Sequence, residues 1–195
     1  FCIDLNGIAR GKLIPLDTLE KIPTGGLKMP TATPLLDIFS EDVYETGLAI
    51  QTGDPDGVVD VAPDSLKPML WADPPCAQLQ VTIRQPDGMP APFDARNVLA
   101  RVVERAHASG LFPVMALELE FFLIDPRAAL PPENPSAGGR LNAGQVYDLD
   151  ITRAFAPVLA RISSAAEAAG APVESAITEF GYGQFEVNLA HHDVE

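Results

Sequence analysis

Four glutamates stand in the most apolar parts of the sequence: Glu118 and Glu120 in the run Val114 to Ile124, and Glu179 and Glu186 near the carboxyl end. Neither Ala106 to Pro126 nor Ile162 to Glu195 contains a lysine or arginine. The run Val114 to Ile124 reads as a buried strand, and burying an unpaired carboxylate is costly enough that it must protonate or find a cation. Clustered carboxylates also repel one another and raise each other's pKa values unless an ion is bound. All-oxygen ligation favours Mg2+ or Mn2+. His191 and His192 leave zinc as a lesser alternative, because adjacent strand residues point to opposite faces and only one of the two could join. The bland reading, a solvated sheet face, holds for any lone carboxylate. Four together favour a divalent-metal site.

Strand alternation puts Glu118 and Glu120 on one face, about 7 Å apart along the backbone, with Leu117, Leu119 and Phe121 packing behind. Gln184, Glu186 and Asn188 share a face in a later strand, with Phe185, Val187 and Leu189 on the other. Glu179 falls where the preceding strand meets a turn, and a hairpin closed there is expected to set Glu179 across from Glu186. Carboxylates holding a magnesium pair, with phosphates completing the shell, are a common means of phosphoryl transfer. The sequence has no Gly-x-x-x-x-Gly-Lys loop, so a nucleotide would be held through metal and by residues elsewhere.

The elements that must position these residues fall into two halves. Phe1 to Ala9 reads as a strand closed by an Asn6-Gly7 turn, and Pro15 to Ile22 as a short helix with proline at its first turn. Gly25-Gly26, Gly53 to Gly57 and Pro74-Pro75 are turns, and Ala77 to Arg84 alternates as a strand. This half reads as a compact β-rich domain. From Asp94, a helix cap, apolar positions Val98, Leu99, Val102, Val103 and Ala106 follow helical spacing up to Gly110. The glutamate-bearing strand follows, then Pro131 to Gly144, a polar stretch that reads as a mobile surface loop. A helix is expected from Asp150 to Ala169, bent at Pro157. Strands Val173 to Thr178 and Gln184 to Ala190 are joined by a turn that Gly181 and Gly183 make possible.

With 195 residues, 47% of them apolar, the chain holds one good core or two modest domains. A formal charge of −14, with no lysine after Lys67, argues against nucleic acid and anionic membrane as partners. Cys2 and Cys76 are far apart and in no metal-ligand spacing, which fits a reducing cytoplasm. No apolar stretch reaches the length of a membrane span, and no signal peptide is visible. The start at Phe1, inside a strand, and the stop at Glu195 lead us to expect a fragment.

The segments Leu117-Glu-Leu-Glu-Phe-Phe-Leu-Ile-Asp125 and Glu179-Phe-Gly-Tyr-Gly-Gln-Phe-Glu186 resemble the two metal-binding strands of the glutamine synthetase superfamily. Asp4-Leu-Asn-Gly7, Arg10-Gly-Lys12, Pro63-Asp64, Pro68-Met-Leu-Trp71 and Asp94-Ala-Arg96 resemble its other motifs, in the family's order. The resemblance implies an α+β chain. Residues 1–92 would form a β-grasp amino-terminal domain, and residues 93–195 the first part of a catalytic α/β domain with an antiparallel sheet. It implies that Glu120, Glu179 and Glu186 ligate the metal nearer the amino-acid substrate, and Glu118 the metal on the nucleotide phosphates. It also implies that Glu174 contacts ATP. The expected chemistry is ATP- and Mg2+-dependent phosphorylation of the glutamate γ-carboxylate, then attack by an amine. The expected assembly is a homo-oligomeric ring with active sites between subunits.

Ammonia-using members carry an Asp-Gly-Ser-Ser type segment where this sequence has Glu45-Thr-Gly-Leu-Ala-Ile50. That departure, with the opening Asp-Leu-Asn-Gly and the Gly53-Asp-Pro-Asp-Gly57 segment, resembles the γ-glutamylpolyamine and γ-glutamylputrescine synthetase branch, where the nucleophile is an organic amine such as putrescine. Use of ammonia, a non-catalytic structural relative and a metal-dependent hydrolase remain the alternatives. The family's later histidine loop and substrate-binding arginines do not occur up to Glu195, so this stretch alone is expected not to catalyse.

Overall fold

The computed structural model describes residues 1–194. Along the chain run β1 (Cys2–Ile3), β2 (Ala9–Arg10), a 3-10 helix over Leu16–Thr24, β3 (Lys28–Pro30), β4 (Asp56–Val61), β5 (Lys67–Met69), β6 (Cys76–Gln78) and β7 (Val81–Arg84). There follow α1 (Ala95–Ala108), β8 (Val114–Met115), β9 (Glu118–Phe122), α2 (Leu149–Ala154), α3 (Ala156–Ala168), β10 (Val173–Thr178), β11 (Gln184–Leu189) and β12 (His192–Asp193). Helices and antiparallel sheets are thus mixed, in two compact units: residues 1–67 with 77–113, and residues 68–76 with 114–194.

In the first unit the antiparallel sheet β3-β4-β7 buries Met29, Val59, Val81 and Ile83 against Ile22 and Cys2. The tight turn between β1 and β2 is built on Asp4. Its buried carboxylate accepts hydrogen bonds from the Asn6 and Ile8 N–H groups and pairs with Arg10 Nε at 2.8 Å. Burial opposes ionisation of Asp4, but these donors outweigh it and hold the carboxyl below its usual range. Burial pushes the Cys2 thiol up to about 11, so it remains a protonated, small apolar side chain. Asp94 caps α1 through the Arg96 and Asn97 N–H groups and also accepts from Ile83 N–H, tying α1 to β7. The expected strand Ala77 to Arg84 breaks at Leu79-Gln80, so that β6 pairs with β5 and β7 with β4.

In the second unit the sheet order is β10-β11-β9, antiparallel throughout. Its core gathers Phe185, Phe155, Leu159 and Leu141, with Phe121, Ile151, Val158 and Ala176 packed against them. The expected helix Asp150 to Ala169 is two helices. The break falls at Phe155 because Pro157 lacks an N–H and its ring clashes with the preceding turn; the proline instead sits in the first turn of α3.

One further expectation needs correction. Val114 to Ile124 is not a buried strand: β8 pairs with β12, and β9 is an edge strand of its sheet among the described residues. Leu117, Leu119, Phe122 and Ile124 are each about half exposed or more, and of the expected backing residues Phe121 alone packs into the core. An apolar run does not by itself decide exposure, because an edge strand lacks a neighbour on one side. Pro131 to Gly144 is a surface segment, as expected, tied down near its ends. Arg140 pairs with Asp125 at 2.8 Å and donates to Pro131 O, while Leu141 N–H donates to Pro132 O. Among the described residues no helix is long and apolar enough to cross a membrane.

Candidate functional site

Strand β11 is the central strand of its sheet, and this decides which carboxylate is buried. Its register against β9 sets Glu186 directly opposite Glu120, Asn188 opposite Glu118 and Gln184 opposite Phe122. Directly opposed residues share a face, with Cβ atoms about 4.5–5.5 Å apart. Glu118, Glu120 and Glu186 therefore lie together on the face opposite Phe185 and Val187, as expected. Glu186 is buried, at 7% exposure, whereas Glu118 and Glu120 on the edge strand are open.

Glu179 corrects the expected pairing. Across β10 and β11, Glu186 faces Ile177, and Glu179 instead donates its N–H to Gln184 O at 3.0 Å. It follows the last residue of β10, on the same face as Glu186 but diagonal to it. The connection is two residues shorter than the direct pairing required, and Gly183 at φ +78° makes that possible. A Cβ at Gly183 would stand 2.8 Å from Leu123 O and from Pro132 Cδ, so the chain also passes too closely for any side chain. Glu174 lies at the far end of β10, about 16 Å along the strand from Glu179. It is exposed, at the register shift between Val173 and Ser175, and the structure does not bring it to the other four.

Burial raises the Glu186 carboxyl above its usual range; the Asn188 amide works against this, and Glu118, Glu179 and Glu120 add to the rise. The four carboxylates thus form one electrostatic cluster without a basic residue among them. Two of them are engaged elsewhere. Gln184 Nε2 donates to Glu120 Oε2 at 2.5 Å, and Glu179 Oε2 accepts the Phe180 N–H at 3.1 Å. With their side chains so turned, no three His, Cys, Asp or Glu groups among the described residues converge as a ready metal cage.

The donor chemistry nevertheless fits a hard cation. Every candidate ligand is an oxygen, and Asn188 Oδ1, two residues from Glu186 on the same face, is buried with no hydrogen-bond donor. Its amide nitrogen donates to Ser175 Oγ at 2.9 Å on the β10 side. An acceptor with no donor, beside carboxylates that repel one another, is suited to a positive ion. His191 and His192 are both exposed, and His192 Nδ1 lies 3.7 Å from Asp193.

A buried polar clasp supports the turn and has no marker in the sequence. Gln145, 1% exposed, donates from Nε2 to Gln184 O at 2.9 Å and accepts the Gly183 N–H at 3.2 Å. Thr178, fully buried, donates from Oγ1 to Gln145 O and accepts the Asp148 N–H at 2.9 Å. Gln145 follows a Gly- and Pro-rich stretch with no periodicity, so only the folded backbone reveals its role.

Residues 92–194 match the family described as glutamine synthetase, catalytic domain. The chain is 38% identical over 196 residues to γ-glutamylputrescine synthetase PuuA of Escherichia coli (strain K12), covering 97% of this chain and 41% of that protein. It is 30% identical over 189 residues to γ-glutamylpolyamine synthetase GlnA3 of Streptomyces coelicolor, covering 96% of this chain and 39% of that one. A solved structure of GmaS in complex with ADP superimposes with a TM-score of 0.78 at 26% identity, covering 98% of this chain and 40% of that one. The chain spans about two fifths of the length of these relatives. With the match extending over the segments that carry all four glutamates, the chain belongs to the glutamine synthetase family.

Proposed function

We propose that the chain is part of an ATP-dependent ligase joining the γ-carboxylate of glutamate to an organic amine such as putrescine or another polyamine. The observation that carries this reading is the direct pairing of Glu120 with buried Glu186, with Glu118 and Glu179 on the same face. In the first step an oxygen of the substrate carboxylate attacks the γ-phosphorus of ATP and ADP leaves. The amine nitrogen then attacks the acyl carbon of the γ-glutamyl phosphate, phosphate leaves, and the nitrogen gives up a proton. Divalent cations, Mg2+ or Mn2+, neutralise charge on the transferring phosphoryl group and hold it in line when bound.

In this reading Glu120, Glu179 and Glu186 hold the cation nearer the amino acid, and Glu118 the cation on the phosphates. Gln184 orients Glu120 through the bond already present, and Asn188 Oδ1 faces the same charge. Glu174 contacts the nucleotide. The ADP bound in GmaS supports a nucleotide in this fold, and the substrates named for the putrescine and polyamine synthetases support an amine as nucleophile. The Glu45 to Ile50 segment, lacking the aspartate of ammonia-using members, points the same way. We further assign residues 1–92 to a β-grasp domain and the chain from 93 to the catalytic domain, in a cytoplasmic homo-oligomeric ring with sites between subunits.

The test is ADP release by the intact protein, as encoded by its gene, with Mg2+, glutamate and either putrescine or ammonium. Putrescine supports turnover and Glu186→Ala lowers it by about 100-fold or more. Equal turnover in wild type and Glu186→Ala sinks the assignment; preference for ammonium moves it to glutamine synthesis. A non-catalytic relative is the second reading, favoured by the lack, among the described residues, of three ligands converging on one point, and it predicts no ADP release with any amine.

A further inference from the structure

We propose that Gln145 is a positioning residue that sets the metal-binding geometry of the turn from Glu179 to Gln184, an inference that rests on the metal reading above. The side chain is buried and makes one hydrogen bond from each end of its amide to two consecutive residues of that turn. One end receives the Gly183 N–H and the other donates to Gln184 O. These are the residues that carry the chain from Glu179 to Glu186.

Gln184 passes the constraint on. Its Oε1 accepts the Gly181 N–H at 2.9 Å and its Nε2 holds Glu120 Oε2. One buried amide thereby fixes the turn backbone, the side chain across it and, through that side chain, a carboxylate on the neighbouring strand. Gln145 is itself anchored from behind. Thr178, the residue before Glu179, donates to Gln145 O, while Tyr147 N–H donates to Thr178 O at 3.0 Å. Further back in the same segment Pro132 stands where a Cβ on Gly183 would fall, so residues 125–148 act as a strap over the turn with Gln145 as its latch. Partners that orient metal ligands in this way typically change metal affinity by about 10- to 100-fold when removed.

Loss of a buried amide also weakens folding, so the experiment needs a control that weakens the same unit elsewhere. Phe155→Leu serves, because Phe155 packs on Phe185 with ring centroids 5.0 Å apart and its backbone bonds run to Ile151, Val158 and Leu159 in α2 and α3. Mn2+ affinity is read by electron paramagnetic resonance on the intact wild-type, Gln145→Met, Gln145→Glu, Phe155→Leu and Glu186→Gln proteins. Amide hydrogen exchange of residues 179–185 is read on the metal-free proteins.

The proposal expects Gln145→Met to loosen Mn2+ about 10-fold or more and to speed exchange in the turn, with Phe155→Leu leaving the affinity unchanged. Gln145→Glu keeps the acceptor for Gly183 but loses the donor to Gln184, and is expected to fall between. If wild type binds Mn2+ in a Glu186-dependent manner while Gln145→Met matches it, or loses no more than Phe155→Leu, the positioning role is overturned. If wild type and Glu186→Gln bind Mn2+ equally, the metal reading itself fails and the role assigned to Gln145 falls with it, whatever the exchange rates.

Discussion

Glu186 carries a cost that a bound cation would remove. Its raised pKa reflects burial beside three like charges, so at neutral pH the ionised group opposes folding of the metal-free protein. Glu186→Gln is therefore expected to leave the melting temperature of metal-free protein unchanged or higher, and to abolish stabilisation by Mg2+ or Mn2+. Wild type should gain about 2.7 kcal/mol at a hundredfold excess of cation over its Kd, read as a thermal shift. Asp4 is the opposite kind of residue. Its pKa is depressed below 3.8, so its contribution is present above that value and lost as the pH falls through the lower folded one. Asp4→Ala leaves Arg10 Nε and the Asn6 and Ile8 N–H groups without their acceptor. It is expected to cost about 2–4 kcal/mol by denaturant titration at pH 7, with the difference from wild type shrinking in strong acid.

At the scale of elements, the turn between β10 and β11 is where sequence and structure part. The strands themselves were legible: alternation in Gln184 to Leu189 placed Phe185 in the core and Glu186 on the carboxylate face, as found. The pairing of Glu179 was not legible, because a hairpin's register depends on turn geometry that glycine permits but does not specify. Nor was the exposure of β9, since Leu117 and Leu119 have the residue types of a covered strand whatever covers them. Gln145 and Thr178 left no trace in periodicity because their bonds run to backbone atoms far along the chain. Gly183→Ala follows from the observed turn. At φ +78°, with backbone 2.8 Å from the added Cβ, it is expected to destabilise by about 1–3 kcal/mol and to weaken Mn2+ binding, whereas Gly138→Ala, also at positive φ but in open space, costs less.

For the whole molecule, the family was readable from two short acidic motifs in order, while the choice of amine rests on a segment that departs from the ammonia-using pattern. With putrescine and ammonium at equal concentration, kcat/KM for putrescine is expected to exceed that for ammonium by about 10-fold or more, a difference of about 1.4 kcal/mol in transition-state binding. The low pI of about 4.4 and net charge of −14 predict little retention of the protein on DNA or anionic vesicles at physiological salt.

The most direct measurement is anomalous diffraction from crystals of the intact protein grown with Mn2+ and ADP. The account predicts manganese bound by Glu120, Glu179 and Glu186, with Glu118 ligating a second ion on the nucleotide phosphates. Manganese elsewhere, or these four carboxylates still sharing no ion, would contradict it.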